Sequence, residues 1–143
     1  MAMNIKKIVV GGLVAGIIVN AFDFVAQYAL SARMRAESEA FKPGLAEQMM
    51  AGSAVLSYVI MDLVIGIALV WTYAAIRPRF GPGPRTAFYT ALLFWLLGLI
   101  FNSGYRQMGM VSSGLWWTLA VIALINYLVA SQAGAAIYSE EPA

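Results

Sequence analysis

Four long apolar runs dominate the pattern of this chain, and each is about the length of a membrane-spanning helix. Such a helix needs about 20 mostly apolar residues at a rise of about 1.5 Å per residue. The alternating pattern typical of membrane β-barrels is absent from the sequence. We therefore predict an all-α fold, a polytopic transmembrane four-helix up-down bundle in one domain over residues 1–143. The spans are residues 8–30, 53–76, 86–104 and 113–137.

The connection between the first two spans is the longest and the most charged. Its pairs Arg33–Glu37 and Arg35–Glu39 have the i,i+4 spacing that stabilises an exposed helix. The first helix is therefore expected to project beyond the membrane to about Phe41, before the break at residues 43–44. The following residues, 45–50, form either a short interfacial turn or the start of the second span.

Composition agrees with a membrane protein and excludes several kinds of site. Hydrophobic residues make up 62% of the chain and charged residues 11%, against about 45–50% and about 25% in soluble domains. Cysteine and histidine are both missing, which excludes thiolate chemistry, Cys/His metal sites, histidine-ligated haem and Ser–His–Asp triads. We expect no cofactor, and a net charge of +2 gives no reason to expect nucleic acid as a partner.

Basic residues predict the orientation, because they remain on the cytoplasmic side of a membrane. Three of them lie in residues 77–85 (RPRFGPGPR), which are expected to form a stiff turn at the membrane edge. We predict that both termini lie on that same, cytoplasmic side. One side would carry Lys6, Lys7, Arg77, Arg79 and Arg85, and the other Arg33, Arg35, Lys42 and Arg106.

A stripe of small and polar residues follows one face of the first span. Gly12, Gly16, Asn20, Asp23 and Gln27 are spaced by four, four, three and four residues, which keeps them on one side of a helix. Glycines allow close helix approach, and polar side chains within a membrane need partners. The stripe therefore predicts a face packed against another helix, in this chain or in a partner.

The other three spans carry similar faces, and all four are expected to meet at the centre of the bundle. Together with the first stripe they form a candidate intramembrane polar cluster and a set of helix-packing glycines. In the third span, Trp95 is expected in the core with its N–H on a neighbouring carbonyl or amide. The faces comprise Asp62 and Gly66 in the second span, Gly98 and Asn102 in the third, and Asn126 and Gly134 in the fourth.

Asp23 and Asp62 are expected at a similar depth on antiparallel neighbours, which leaves three interpretations open. An uncompensated charge in the membrane is costly, so such residues usually face a partner or a cavity. The two carboxyls could be neutral and hydrogen-bonded to amides or to tyrosine, as a structural lock. They could instead bind a proton or a cation. Alternatively, Arg106 could reach down and pair with them.

The arginine-rich turn does not have the features of a phosphate-binding loop. Its prolines remove backbone N–H groups that a phosphate cradle needs, and no Gly-Lys-Ser/Thr follows. Arg77, Arg79 and Arg85 are expected to determine topology, and the alternative is contact with anionic lipid or a partner.

The segment GGLVAG at residues 11–16 with Asn20, together with residues 77–85, resembles small four-helix bacterial membrane proteins of no assigned function. The resemblance covers most of the chain. It implies a location in the bacterial inner membrane and carries over no functional residue.

Three classes of function remain after these exclusions. We expect an accessory or assembly subunit of a larger membrane complex, because the chain has little mass outside the membrane and several small-residue faces suited to docking. Its partners would be the lipid bilayer and other membrane subunits or further copies of itself. The alternative is a small proton- or cation-coupled transporter or channel that uses Asp23 and Asp62. An intramembrane enzyme is the third class, and no nucleophile–base pair in the sequence supports it.

Overall fold

The computed structural model describes residues 3–140, which form five helices and no strand. Four of these helices are long and apolar enough to span a membrane. The all-α bundle predicted from the apolar runs is therefore confirmed. The helices are α1 (Ile5–Phe41), α2 (Leu45–Met50), α3 (Gly52–Phe80), α4 (Pro84–Gln107) and α5 (Ser113–Ile137).

The helix boundaries follow from local signals, with one difference from expectation. α1 ends at Phe41, as its charge pairs predict, and residues 45–50 form a separate short helix. The turn expected over residues 77–85 is shorter, because α3 continues through Pro78 to Phe80. A proline so close to a helix end removes only one hydrogen bond, and its fixed φ is compatible with a helix. The turn itself uses positive φ angles at Gly81 (85°) and Gly83 (112°).

The four long helices run up and down in the cyclic order α1, α3, α4, α5, so that α1 and α4 lie diagonally opposite. We call the end that carries the α3–α4 turn and residues 138–140 the terminus end. The opposite end, which carries α2 and the α4–α5 connection, is the α2 end.

α1 packs most extensively on α3 and then on α5. The apolar core lies in the half of the bundle nearest the terminus end, around Val19, Leu69 and Val70.

Glycines bring α1 and α3 into backbone contact within that half. A Cβ built on Gly66 would overlap the backbone at Gly16 N and Gly12 O. A Cβ on Gly12 would lie 2.5 Å from Ile67 Cα, and one on Gly16 would lie 2.7 Å from Leu63 Cα. No side chain fits between the helices here, so the contact depends on glycine on both sides.

The contact of α1 with α5 uses a second pair of glycines. A Cβ on Gly11 would lie 2.8 Å from the carbonyl oxygen of Gly134, and a Cβ on Gly134 would lie 3.1 Å from that of Gly11. Two adjacent glycines of α1 thus face different neighbours, Gly12 towards α3 and Gly11 towards α5. The sequence stripe identified only the first of these two faces.

The half of the bundle nearest the α2 end is packed more loosely. Residues 55–61 of α3 are all exposed. These seven residues make nearly two turns of helix, so no side of α3 is covered there by residues 3–140. α4 exposes Leu96, Ile100 and Phe101 in the same half. The bundle is therefore tightly joined at one end and open at the other.

Candidate functional site

Of the polar residues singled out in the sequence, the structure joins Asn126 to Asp23 and places Asp62 on the neighbouring helix α3. We call these three residues the carboxyl cluster. Asn126 of α5 is 2% exposed, and its Nδ2 donates to Asp23 Oδ1 at 3.1 Å and to the carbonyl oxygen of Val19 at 3.4 Å. Asp62 of α3 is 9% exposed and lies beside the glycine contact, where its carbonyl oxygen would be 3.0 Å from a Cβ on Gly16. α1, α3 and α5 each contribute one side chain.

The two carboxyls of the cluster differ in their surroundings. Asp23 is exposed at the surface of the isolated bundle, whereas Asp62 is buried. No hydrogen bond reaches the Asp62 carboxyl from any residue between 3 and 140. Tyr127, the neighbour of Asn126 in α5, is half-buried, and its ring centre lies 6.4 Å from that of Phe94 in α4. The sequence analysis did not single out Tyr127, and its adjacency to Asn126 was the one available signal.

The other polar residues of the first stripe tie α1 to its neighbours nearby. Asn20 Nδ2 donates to the carbonyl oxygens of Gly16, at 3.2 Å, and of Val59 in α3, at 3.3 Å. Gln27 Nε2 donates to Met50 Sδ at 3.3 Å. Asn20 thus joins α1 to α3 close to the cluster, and Gln27 joins α1 to α2.

The third span does not contribute its predicted polar face to the centre. Asn102 is exposed and donates to the carbonyl oxygen of Gly98 in its own helix at 2.8 Å. A Cβ on Gly98 would meet nothing within 4 Å. The expectation that all four faces converge is therefore wrong for α4, because no neighbouring helix covers Gly98 and Asn102 in the loosely packed half of the bundle. Trp95, on the same helix, does face inwards, and its Nε1 donates to the carbonyl oxygen of Ala120 at 2.8 Å.

The ion pair considered between Arg106 and the aspartates is not formed. The Arg106 guanidinium lies 5.2 Å from the ring centre of Trp116, at the α2 end. The ion pairs within residues 3–140 are Arg33–Glu37 and Arg77–Glu140, neither of which involves the cluster. Arg106 extends sideways onto an aromatic ring, where its charge remains accessible to water. Structural lock and ligand site remain as the two interpretations of the aspartates.

The three arginines at residues 77–85 differ in the contacts that they make within the chain. Arg77 Nη1 lies 3.1 Å from Glu140 Oε1, and the guanidinium lies 5.5 Å from the ring centre of Tyr138. Arg85 Nε donates to the hydroxyl of Tyr89 at 2.7 Å. Arg79 is exposed. Arg85 is exposed as well, so lipid or a partner can reach both, and Arg79 is the one with no polar side-chain contact among residues 3–140.

A second polar group, at the α2 end, was missed by the sequence analysis. Glu37 pairs with Arg33 at 3.1 Å, as its spacing predicts, and it also accepts from Ser112 N at 2.6 Å and Ser112 Oγ at 2.7 Å. Ser112 is the N-cap of α5 and accepts from Leu115 N. The carboxylate thus lies at the positive end of the α5 dipole and joins the extension of α1 to α5. The N-cap serine was visible in the sequence, but its distant partner was not.

The predicted Arg35–Glu39 ion pair is replaced by a loop contact. Glu39 accepts the backbone N–H groups of Gly44, at 2.9 Å, and of Ala46, at 3.1 Å. These two hydrogen bonds, with a smaller contribution from the charge of Arg35, hold the pKa of Glu39 below its ordinary value. Glu39 therefore fixes the path of the chain into α2.

The carboxyl cluster has no ligand set for a protein-bound metal ion. Among residues 3–140 no group of three or more Asp, Glu, His or Cys side chains could hold one. Two surface cavities, of about 590 Å³ at the α2 end and about 120 Å³ at the terminus end, are lined by other residues. No protein-family model, curated protein sequence or solved structure matches this chain.

Proposed function

We propose that this chain is an accessory or assembly subunit of a larger membrane protein complex, without catalysis of its own. The observation that carries the proposal is the outward face of α4 at Gly98 and Asn102. A glycine in open space and an exposed amide one turn away form the kind of surface on which another membrane helix packs. The bacterial inner membrane, with both termini in the cytoplasm, is the proposed location.

The polarity of this surface matters more than its apolar area. Lipid is as apolar as leucine, so exposed leucines alone give helices no reason to associate. The Asn102 amide is different, because one N–H remains available after its bond to the carbonyl oxygen of Gly98. A partner helix close to Gly98 can supply an acceptor for it. Residues 55–61 of α3, exposed in the same half of the bundle, provide further contact area.

Substitution of the open glycine tests the proposal. In Gly98→Leu the new side chain has room within the chain and blocks close approach by a partner helix. The matched control is Gly104→Leu, in the same helix, also with nothing within 4 Å, but about 120° round the helix axis. Each tagged variant is extracted with its native lipids and analysed by native mass spectrometry.

We expect the native chain and Gly104→Leu to carry a stoichiometric partner that Gly98→Leu loses while it remains folded. A partner mass equal to that of the chain itself identifies a homo-oligomer. A native chain that is monomeric in native lipid, or a partner retained by Gly98→Leu, contradicts the proposal.

A further inference from the structure

Asp23 is an acid within a membrane span that receives a single hydrogen bond from the described part of the chain. It lies in α1, about 10 Å from the predicted end of the span at residue 30. Asn126 Nδ2 donates to its Oδ1 at 3.1 Å, and no other donor among residues 3–140 reaches the carboxyl. The side chain is exposed on the bundle, so lipid or another protein contacts it. An uncompensated charge at this depth carries a cost equivalent to roughly a hundredfold in an equilibrium constant.

Asn126 adds a second acceptor that lacks a donor. Its Nδ2 donates both to Asp23 and to the carbonyl oxygen of Val19, and this fixes the orientation of the amide, because a backbone carbonyl can only accept. The Oδ1 of the same amide is buried and accepts no hydrogen bond from residues 3–140. The whole side chain is 2% exposed, and buried polar atoms are almost always paired. The complement of this site is therefore a group that is positive and donates several hydrogen bonds.

The chain has no such group at the depth of Asp23. Its nine Lys and Arg residues all lie at the ends of the spans, in residues 6–7, 33–42, 77–85 and at position 106. The nearest of them along α1 is Arg33, which is about 15 Å away by helix rise and is paired with Glu37. A second copy in the same bilayer would carry its basic residues at the same two membrane edges. The positive group must therefore come from a different molecule.

We propose that Asp23, with Asn126, is the docking site for a transmembrane helix of a different protein that carries a lysine or an arginine within its span. The proposal rests on the proposed function, because it names a property of the partner subunit. A lysine ammonium donates three hydrogen bonds and an arginine guanidinium five, so a basic side chain that enters beside Asp23 has donors for both unsatisfied acceptors. Charged residues inside membranes usually pair with one another. The occupant therefore supplies the charge and the donors that this chain lacks.

Synthetic transmembrane peptides of defined sequence test the site. Each is a helix of about 20 leucine and alanine residues, with lysine, glutamine or leucine at its centre. The full chain has no cysteine, so Ala36→Cys, on the exposed extension of α1, carries a single donor dye, and the peptides carry the acceptor. Energy transfer is measured in phosphatidylcholine vesicles. We expect the lysine peptide to bind about tenfold more tightly than the leucine peptide, as hydrogen bonds to charged groups imply. Binding of the leucine or the glutamine peptide as tightly as the lysine peptide overturns the proposal.

Conservative variants test whether the charge of Asp23 is responsible. Asp23→Asn keeps the shape of the side chain and loses its charge, so the preference for the lysine peptide should disappear. Asp23→Glu keeps the charge and should retain the preference. Asp62→Asn, which removes the buried acid of α3, is the matched control and should also retain it. Size-exclusion chromatography shows that each variant is folded. If folded Asp23→Asn keeps the preference, or folded Asp62→Asn loses it, the docking site is not at Asp23.

The sequence of the partner isolated with the native chain gives an independent test. α1 and α4 lie diagonally opposite, so the partner would meet Asp23 and Gly98 with different helices. One of its spans should contain a lysine or an arginine near the middle. A homo-oligomer, or a partner with no basic residue inside a span, refutes this docking site and leaves the proposed function standing. A chain with no partner in native lipid refutes the proposed function, and the peptide measurements still decide whether Asp23 binds a basic helix.

Discussion

Replacement of Gly66 by alanine tests how the bundle is joined at its terminus end. The added methyl group would overlap Gly16 N and Gly12 O, which are backbone atoms and cannot rotate away. The two helices must therefore separate. Both atoms would lie about 1 Å closer to the new Cβ than the 3.4 Å at which ordinary contact begins. The required displacement is therefore about 1 Å, and a gap of that size loses about a quarter to a half of the dispersion energy of the atoms that face it.

The expected net effect is a substantial loss of stability. Overpacking of a close-packed contact costs about 1–3 kcal/mol, and we take about 3 kcal/mol because both neighbours are backbone. Alanine in a helix interior regains about 0.5–1 kcal/mol relative to glycine. The free energy of unfolding of Gly66→Ala should thus fall by about 2 kcal/mol.

Gly98→Ala is the matched control, because a Cβ on Gly98 meets nothing within 4 Å. It should be neutral or more stable by about 0.5–1 kcal/mol from helix propensity alone. Thermal unfolding of both variants in the same lipid nanodiscs, followed by circular dichroism, measures the difference. If Gly66→Ala unfolds at the temperature of Gly98→Ala or above it, backbone contact between α1 and α3 does not hold the bundle together.

Three further predictions concern the ends of the bundle. Glu37→Ala should lower the free energy of unfolding by about 0.3–1 kcal/mol, as expected for loss of a negative charge at a helix N-terminus, and an unchanged thermal midpoint would show that its contact with Ser112 contributes nothing. Because its pKa is lowered in the folded chain, Glu39 stabilises the loop at pH values above the ordinary glutamate pKa, and this contribution is lost as the pH falls through the folded pKa. The amide proton of Gly44, followed by NMR, should shift over that acid range in the native chain and not in Glu39→Gln. An Arg79→Cys variant should be labelled only after the cytoplasm is opened, and Ala36→Cys in intact cells, so the reverse pattern would invert the proposed orientation.

The spans were predictable because each depends on local composition. Twenty apolar residues form a helix in lipid whatever they pack against. The glycine spacing in the first span shows which side of that helix carries small residues. Spacing does not show how much of a helix its neighbours cover. The α4 face was recognised, and Trp95 lies inside as predicted, but Gly98 and Asn102 lie in a part of the helix that no neighbour covers. That coverage depends on the packing of the neighbouring helices, which no single segment encodes.

The carboxyl cluster was predictable only in part for a related reason. Depth along antiparallel helices placed Asp23 level with Asp62, but the contacts of Gly16 with Leu63 and of Asn20 with Val59 set Asp62 level with about residue 17. The two aspartates are therefore about 9 Å apart along the helix axis. The hydrogen bond from Asn126 to Asp23 joins residues 103 positions apart. Predicting that bond requires knowing which helices are adjacent. The contact of Glu37 with Ser112, 75 positions apart, is of the same kind.

The positions of the two glycine contacts along the chain set an order of assembly during synthesis. Chains emerge from the ribosome N-terminal end first, so their early segments can assemble before later ones exist. The contact of Gly12 and Gly16 with Gly66 is complete once α1 and α3 have entered the bilayer. The amide of Asn126 that bonds Asp23 arrives only with α5. A chain halted between these two stages would display an unsatisfied acid within the bilayer, which is a chemical mark by which a membrane protease could distinguish unfinished copies from completed ones.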